Sequence, residues 1–396
     1  MKQDAISYLS TEQEELDKLC EDIFSLSEES YKEYQTTNYI CDFLEQRNFK
    51  IERNFLDIET SFKATIGEGH PIICFPCEYD AVENTGHLTG HNLNTKIQIS
   101  AAIGLAHVLP KMKTEGTIIL LGCPGEYLGG SKETMLRQNV FDDFDAVLSV
   151  QANTKTCETK TSAAVIPISL TFKSKYQMSL NTDPVYTSLD ATLMLCNILK
   201  TLEKGIRFNK SYVDYTICES TKNPYIKAND SRIKLLIRSK SMEDAKSLEY
   251  KIKSISEYIS TLLDIDFELH LYQPPSEPLI SNSTLSRMLS HNLKESGIIN
   301  INHPTRIFDA LSLGGVSTKI PTINHLISIV GDDPLIQYGT ENFAKATLTP
   351  LAIETARRAS CALFCTAIDL IEAPHLLIEA KLELHKLQNK KETNLY

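Results

Sequence analysis

Residues 78–92 read EYDAVENTGHLTGHN, so carboxylate and imidazole side chains crowd into one short stretch. Asp80, Glu83, His87 and His91 are of the types that hold zinc or manganese, and together they outline a mononuclear site of unusual make-up. The structural alternative is a hydrogen-bonded loop supporting a pocket, because a catalytic zinc ordinarily takes three protein ligands held by rigid partners. Cys74 and Cys77 spell Cys-x-x-Cys, a spacing used in redox and metal sites. They lie inside an apolar run rather than at a helix start, which predicts packed thiols; with Cys123 on the adjacent run, a cryptic thiolate site is the alternative.

These side chains act together only if regular elements bring them to one place. The runs 71–76 (PIICFP), 117–121 (TIILL) and 146–150 (AVLSV) are short, apolar and separated by helical patterns, the mark of strands buried in a mostly parallel sheet. A helix over 97–109 connects the first two. Ligands in such sheets bind beyond the carboxyl ends of the strands, so segments 77–92, 123–130 and 151–155 should converge. Upstream, 16–43 is helical in period and 49–66 reads as paired strands.

From 164 to 273 the order changes to strand (165–172), helix (188–204), strands (212–219, 233–238), helix (242–263), strand (267–272). That is a split βαβ, ferredoxin-like α+β domain inserted into the first. A helix over 285–294, a strand over 322–330, a long helix over 351–371 and a charged final helix after Pro374 complete the outer domain. The expectation is therefore an α/β fold: a catalytic-type domain of residues 1–163 and 274–396, with a lid or dimerisation domain of residues 164–273.

The chain has 396 residues, 42% hydrophobic and 23% charged, the mix of a globular protein long enough for two domains. A net charge of -11 without a basic cluster argues against nucleic acid as a partner. The start has no continuous apolar core of an export signal, and no uncharged apolar run approaches the ~20 residues that cross a bilayer. The expected setting is the cytoplasm, with no membrane partner. Ten cysteines at no framework spacing suit reduced, buried thiols.

The stretch 78–92 resembles the EYDALPxxGHACGHN signature of the amidohydrolase branch of the zinc-dependent aminoacylase/carboxypeptidase metallopeptidase family, whose members include aminobenzoyl-glutamate hydrolases. TSFKATIG (60–67), GTIILLGCPGEYLGGSK (116–132), FDDFDAVLSVQ (141–151), GGVSTKIPTIN (314–324) and GTENFA (339–344) follow in the family's order, so the resemblance spans nearly the whole chain. It implies a catalytic domain with two zinc or manganese ions and a glutamate base, and an inserted lid that closes on substrate and often dimerises. It also implies hydrolysis of an amide in an acylated amino acid or short peptide.

Position by position, the resemblance keeps little of that site. Thr89 stands where the family has a cysteine ligand, Tyr127 where it has a glutamate ligand, and Gln151 and Asn324 where it has histidines. His91 is retained, and Glu126 occupies the place of the general base. Met178 stands where the lid histidine polarises the substrate carbonyl. Asn223 and Arg238 match lid positions suited to a substrate carboxylate, although an arginine at a strand end is more simply solvated. Glu126, buried without a metal, should have a raised pKa and could bind a ligand's amine; the alternative is a carboxylate bonded to loop amides. His325, beside Asn324, should point to the opposite face of its strand.

The leading expectation is an amidohydrolase-fold pseudoenzyme without the standard dinuclear site. It would bind a small acylated amino acid or peptide, or regulate a partner, as a homodimer through the lid and with no cofactor. The alternative is an active metal-dependent amidohydrolase using zinc or manganese at His91 with Asp80 or His87, and Glu126 as base. Metal-free catalysis is a third, for which no nucleophile stands out.

Overall fold

The computed structural model describes residues 1–174, 186–208, 211–221, 226–307, 312–331 and 333–393. The chain divides into two compact units: Met1–Thr161 with Leu279–Arg306 and Gly315–Tyr396, and Ser162–Pro278 with Ile307–Gly314.

The first unit is built on eight strands: β1 (Lys50–Arg53), β2 (Phe62–Glu68), β3 (Ile72–Cys77), β4 (Gly116–Gly122), β5 (Ala146–Asn153), β6 (Cys157–Thr161), β11 (Asn302–Arg306) and β12 (Thr322–Ser328), in the order β1-β2-β4-β3-β5-β12-β6-β11. The centre, β4-β3-β5-β12, is parallel. β3 and β4 read as nearly unbroken apolar runs because both faces are covered and almost every side chain is buried, while β5 carries Ser149 and Gln151 and β12 carries Asn324 and His325 among buried apolar residues.

Helix His91–Val108 is buried nearly all round and packs on β3, β4 and β5 and on helix Pro350–Glu372. A helix with no solvent face must pair its polar side chains inside the protein. Lys96 is ion-paired with Asp17, Asn94 Oδ1 accepts the Ala152 amide at 2.7 Å, and Gln98 Nε2 donates to the Val150 carbonyl at 3.2 Å. The Asn94 bond fixes the helix start against the end of β5, where Gln151 sits. Gly90, at φ 75°, makes the left-handed turn into the helix that places His91 at its first position.

The second unit has strands β7 (Ala164–Ser174), β8 (Tyr212–Glu219), β9 (Asp230–Ser239) and β10 (Ile265–Leu271) in the antiparallel order β10-β7-β9-β8. Helices Ser188–Phe208 and Met242–Leu263 pack on it around a separate core that includes Leu170, Leu195, Leu235 and Ile252. This is the ferredoxin-like order, as the alternation of the sequence predicts.

Two strands escape the sequence reading, β6 and β11. All five residues of β11, NHPTR, are exposed, so no apolar alternation marks it; it is held by parallel pairing to β6. The region 16–43 is two helices, Gln13–Leu26 and Tyr34–Glu45, because Ser27 turns left-handed at φ 45°. The described cysteines are all free, and those of the Cys-x-x-Cys pair are fully buried, with burial pushing both thiols well up. No single described helix is long and apolar enough to cross a membrane.

Candidate functional site

The carboxyl ends of β3, β4 and β5 deliver the segments at 78–92, 123–130 and 151 to one place, and β12 adds Asn324 from the neighbouring strand. Glu78 leaves β3 directly. Its Oε1 accepts Lys132 Nζ at 2.7 Å and its Oε2 accepts Gln151 Nε2 at 2.9 Å. Lys132 Nζ also donates to Glu126 Oε1 at 2.6 Å, and its side chain is 0% exposed. Asn324 Nδ2 donates to Gln151 Oε1 at 3.1 Å. Asn324, Gln151, Glu78, Lys132 and Glu126 thus form one continuous polar chain beneath the strand ends.

A second group adjoins it. His91 Nδ1 donates to Asp80 Oδ1 at 2.8 Å, and its Nε2 lies 3.8 Å from Glu78 Oε2. Burial works against the imidazolium, but the charge and hydrogen bond of Asp80, with Glu78 and Glu126 behind, hold its pKa up at about 9. Burial likewise opposes the Asp80 carboxylate, and His91, Ser30 and the Tyr127 amide outweigh it and keep its pKa below the usual range. Ser30 Oγ donates to Asp80 Oδ2 at 2.6 Å and the Tyr127 amide to the same oxygen at 3.0 Å. The Tyr127 ring packs 4.7 Å from the His91 ring, and its hydroxyl accepts the Thr89 amide at 3.0 Å and bonds Thr89 Oγ1 at 2.6 Å.

The turn that carries Glu126 is anchored from below. The Gly125 amide donates to Glu33 Oε1 at 3.0 Å, and burial, with Asp80 nearby, raises the Glu33 pKa to about 7. Gly125 has φ 79° and its Cα faces the Tyr31 ring, so only glycine fits there.

A metal ion does not fit this donor set. His87 Nε2 is bonded to the Ile23 carbonyl at 3.0 Å and Glu83 is exposed, while Asp80 is saturated by His91, Ser30 and Tyr127. Of the expected mononuclear grouping, His91 and Asp80 bond each other at 2.8 Å, whereas His87 is bonded elsewhere. Among the described residues no group of three His, Cys, Asp or Glu converges to hold an ion. Thr89 and Tyr127 bond each other, as do Gln151 and Asn324, so positions that would face metal face side chains instead.

Two further expectations change. Glu126 is not an isolated carboxylate; a buried ammonium compensates it. Arg238 is not held ready for a substrate carboxylate, since its Nη2 and Nε pair with Asp214 Oδ2 at 2.6 and 2.9 Å. Asn223 and Met178 lie outside the described residues. His325 points away from the cluster: its Nε2 meets Ser290 Oγ at 3.2 Å, and burial lowers its pKa to about 4. Glu78 and Lys132 carry the cluster, and neither was assigned a role from sequence. Glu78 could have been found as the first polar residue past the carboxyl end of a central parallel strand. Lys132 has no such signal.

No model of a known protein family matches the chain. Among curated proteins, one of the subunits of p-aminobenzoyl-glutamate hydrolase from Escherichia coli is 24% identical over 368 residues, 83% of this chain and 76% of that protein. Xaa-Arg dipeptidase of Mus musculus is 25% identical over 417 residues, 100% of this chain and 94% of that protein. Among solved structures, aminobenzoyl-glutamate utilization protein of Klebsiella pneumoniae superposes with TM-score 0.67 at 14% identity, covering 90% of this chain and 98% of that one. A dinuclear metal-binding peptidase of Bacillus subtilis does so with TM-score 0.58 at 18% identity, covering 89% and 99%.

Proposed function

We propose that this chain, which belongs to the aminoacylase/carboxypeptidase metallopeptidase family, keeps the family's pocket as a metal-free binding site. Its relatives are hydrolases, and its fold is theirs. The ligand would be a small acylated amino acid or peptide, bound in the cytoplasm by a homodimer joined through the second unit, with no cofactor and no nucleic-acid partner.

The observation that supports this reading is the pairing of the replaced ligands. Ligands lost by drift would leave orphaned polar atoms around an empty centre, at a cost of about 1–3 kcal/mol each. Here the replacements bond each other, Thr89 with Tyr127 and Asn324 Nδ2 with Gln151, and Gln151 continues to Glu78, so that of these four side chains only Asn324 Oδ1 is left without a partner among the described residues. The site is held together by the protein's own groups.

A second reading keeps hydrolysis. His91 Nε2 and Glu78 Oε2 face each other across 3.8 Å with Glu126 on the same chain of contacts, a remnant that a single zinc or manganese ion would have to open. Elemental analysis separates the two. Protein purified with both metals present should hold neither in stoichiometric amount, a His91→Ala variant should be no different, and a chelator should leave the thermal midpoint unmoved. One bound equivalent that the variant loses would establish the hydrolase reading instead.

A further inference from the structure

The strands that carry Gln151 and Asn324, β5 and β12, run on into the wall of a cavity of about 990 Å³ that lies wholly within the first unit. Lys155 follows β5, Ser328 ends β12, Asn302 belongs to β11, and the stretch after β12 supplies Asp333 and Gln337. A space of that size admits a short peptide, and it opens where ligands of such sheets are bound, beyond the carboxyl ends of the strands.

The backbone on either side of Lys155 is pinned. The Thr154 amide donates to Asn153 Oδ1 at 2.8 Å. Thr156 Oγ1 accepts the Ser328 amide at 2.9 Å, and the Thr156 carbonyl accepts both the amide and the Nδ2 of Asn302 at 2.9 Å. The Lys155 side chain, by contrast, has no ion pair or hydrogen bond among the described residues. Asp333 stands on the same wall without pairing with it, and its Oδ1 accepts the Leu335 amide at 2.9 Å. The side-chain amides of Asn300 and Gln337, also on the wall, are likewise unengaged among the described residues and can donate beside the ammonium. A cation held on a fixed strand end, facing a cavity and met by no carboxylate of its own chain, is suited to an anionic group from outside.

We propose that this cavity takes the carboxylate end of the ligand, with Lys155 as counter-ion, so that acylated amino acids and peptides bind with a free carboxyl terminus and not as C-terminal amides. This rests on the reading of the chain as a binder of such molecules and names the end of them that is recognised. A carboxylate only accepts hydrogen bonds and brings the charge that the ammonium lacks; a C-terminal amide is neutral and turns N–H donors toward a wall that already donates.

The experiment is calorimetric titration of the full-length protein with N-acetyl-alanyl-alanine and with its C-terminal amide, on wild type, Lys155→Met and Lys155→Arg. The free acid should bind about tenfold more tightly than the amide, the methionine variant should lose that preference, and the arginine variant should keep it. Equal or tighter binding of the amide overturns the proposal, as does a preference that survives Lys155→Met, or inorganic phosphate binding as tightly as the free acid. The wild-type comparison stands even where a variant fails to fold. Metal content is measured on the same samples: stoichiometric metal that His91→Ala loses sinks the metal-free reading whichever peptide is preferred, whereas a metal-free protein that binds both peptides alike sinks the carboxylate site alone. Binding of neither up to millimolar concentration sinks both.

Discussion

Lys132 is the residue on which the site's stability turns. A buried ammonium is tolerable only when its attraction to neighbours offsets the loss of water, and here Glu126 and Glu78 raise its pKa against the burial that opposes it. Replacing it with methionine would take the shared ammonium away from two buried carboxylates. Lys132→Met should cost about 3–5 kcal/mol in urea denaturation at neutral pH, the range for removing one member of a buried ion pair. Adding Glu78→Gln to that variant should recover part of the loss; a single variant as stable as wild type would mean that the ammonium is not holding the cluster. This centre was only half legible in the sequence. The motif around Asp80 and His91 shows where the site sits, since residue types at fixed spacing are a local pattern. That Thr89 would bond Tyr127, and Gln151 would bond Asn324, depends on which strand ends are neighbours, and no window of sequence holds that information.

At the scale of one element, β12 shows what alternation does. Asn324 faces the polar chain, and His325, one residue on, faces the other side, where Ser290 Oγ lies 3.2 Å away and itself donates to Glu158 at 2.7 Å. His325 is 1% exposed, and its Nδ1 has no partner among the described residues. Because burial holds its pKa at about 4, below the unfolded value near 6.5, the unfolded chain binds the extra proton first as pH falls. Its contribution to stability is complete above pH 6.5 and is lost progressively down to about pH 4, by roughly 3 kcal/mol across that window. Urea unfolding at pH 6.5, 5.5 and 4.5 should show a shallower pH slope for His325→Gln than for wild type, and parallel slopes would rule the histidine out as the source. The strand itself was readable because apolar residues, Ile323, Leu326 and Ile327, flank its polar pair and all of them are buried. By contrast β11, wholly exposed, exists through pairing with β6 and left no trace in the hydropathy.

On the scale of the whole molecule, the second unit is closed on itself. β7 leaves the outer domain and the chain returns past Ser276, whose amide and carbonyl pair with Val165 at 3.0 and 2.9 Å, so both ends of the inserted stretch are tied together within the unit. Its outer helix, Ser188–Phe208, still shows an apolar strip: Leu193 is 46% and Leu202 37% exposed, beside Met194 and Ile198 in a cavity of about 470 Å³. Among the described residues, the only charged one lining that cavity is Asp190. Such a strip on a helix, with one charge at its start, is the kind of surface that a two-fold axis covers with its own copy. β8, one of the two edge strands of the same unit's sheet, is a second surface open to pairing. If a second copy is the occupant, light scattering behind size exclusion should give twice the 44.5 kDa chain mass, and Leu193→Asp should shift the species to a monomer with its far-ultraviolet dichroism unchanged. A wild type that elutes as a monomer at all concentrations would sink the dimer. A dimer indifferent to Leu193 would move the interface off this helix and leave the β8 edge as the next place to put a substitution.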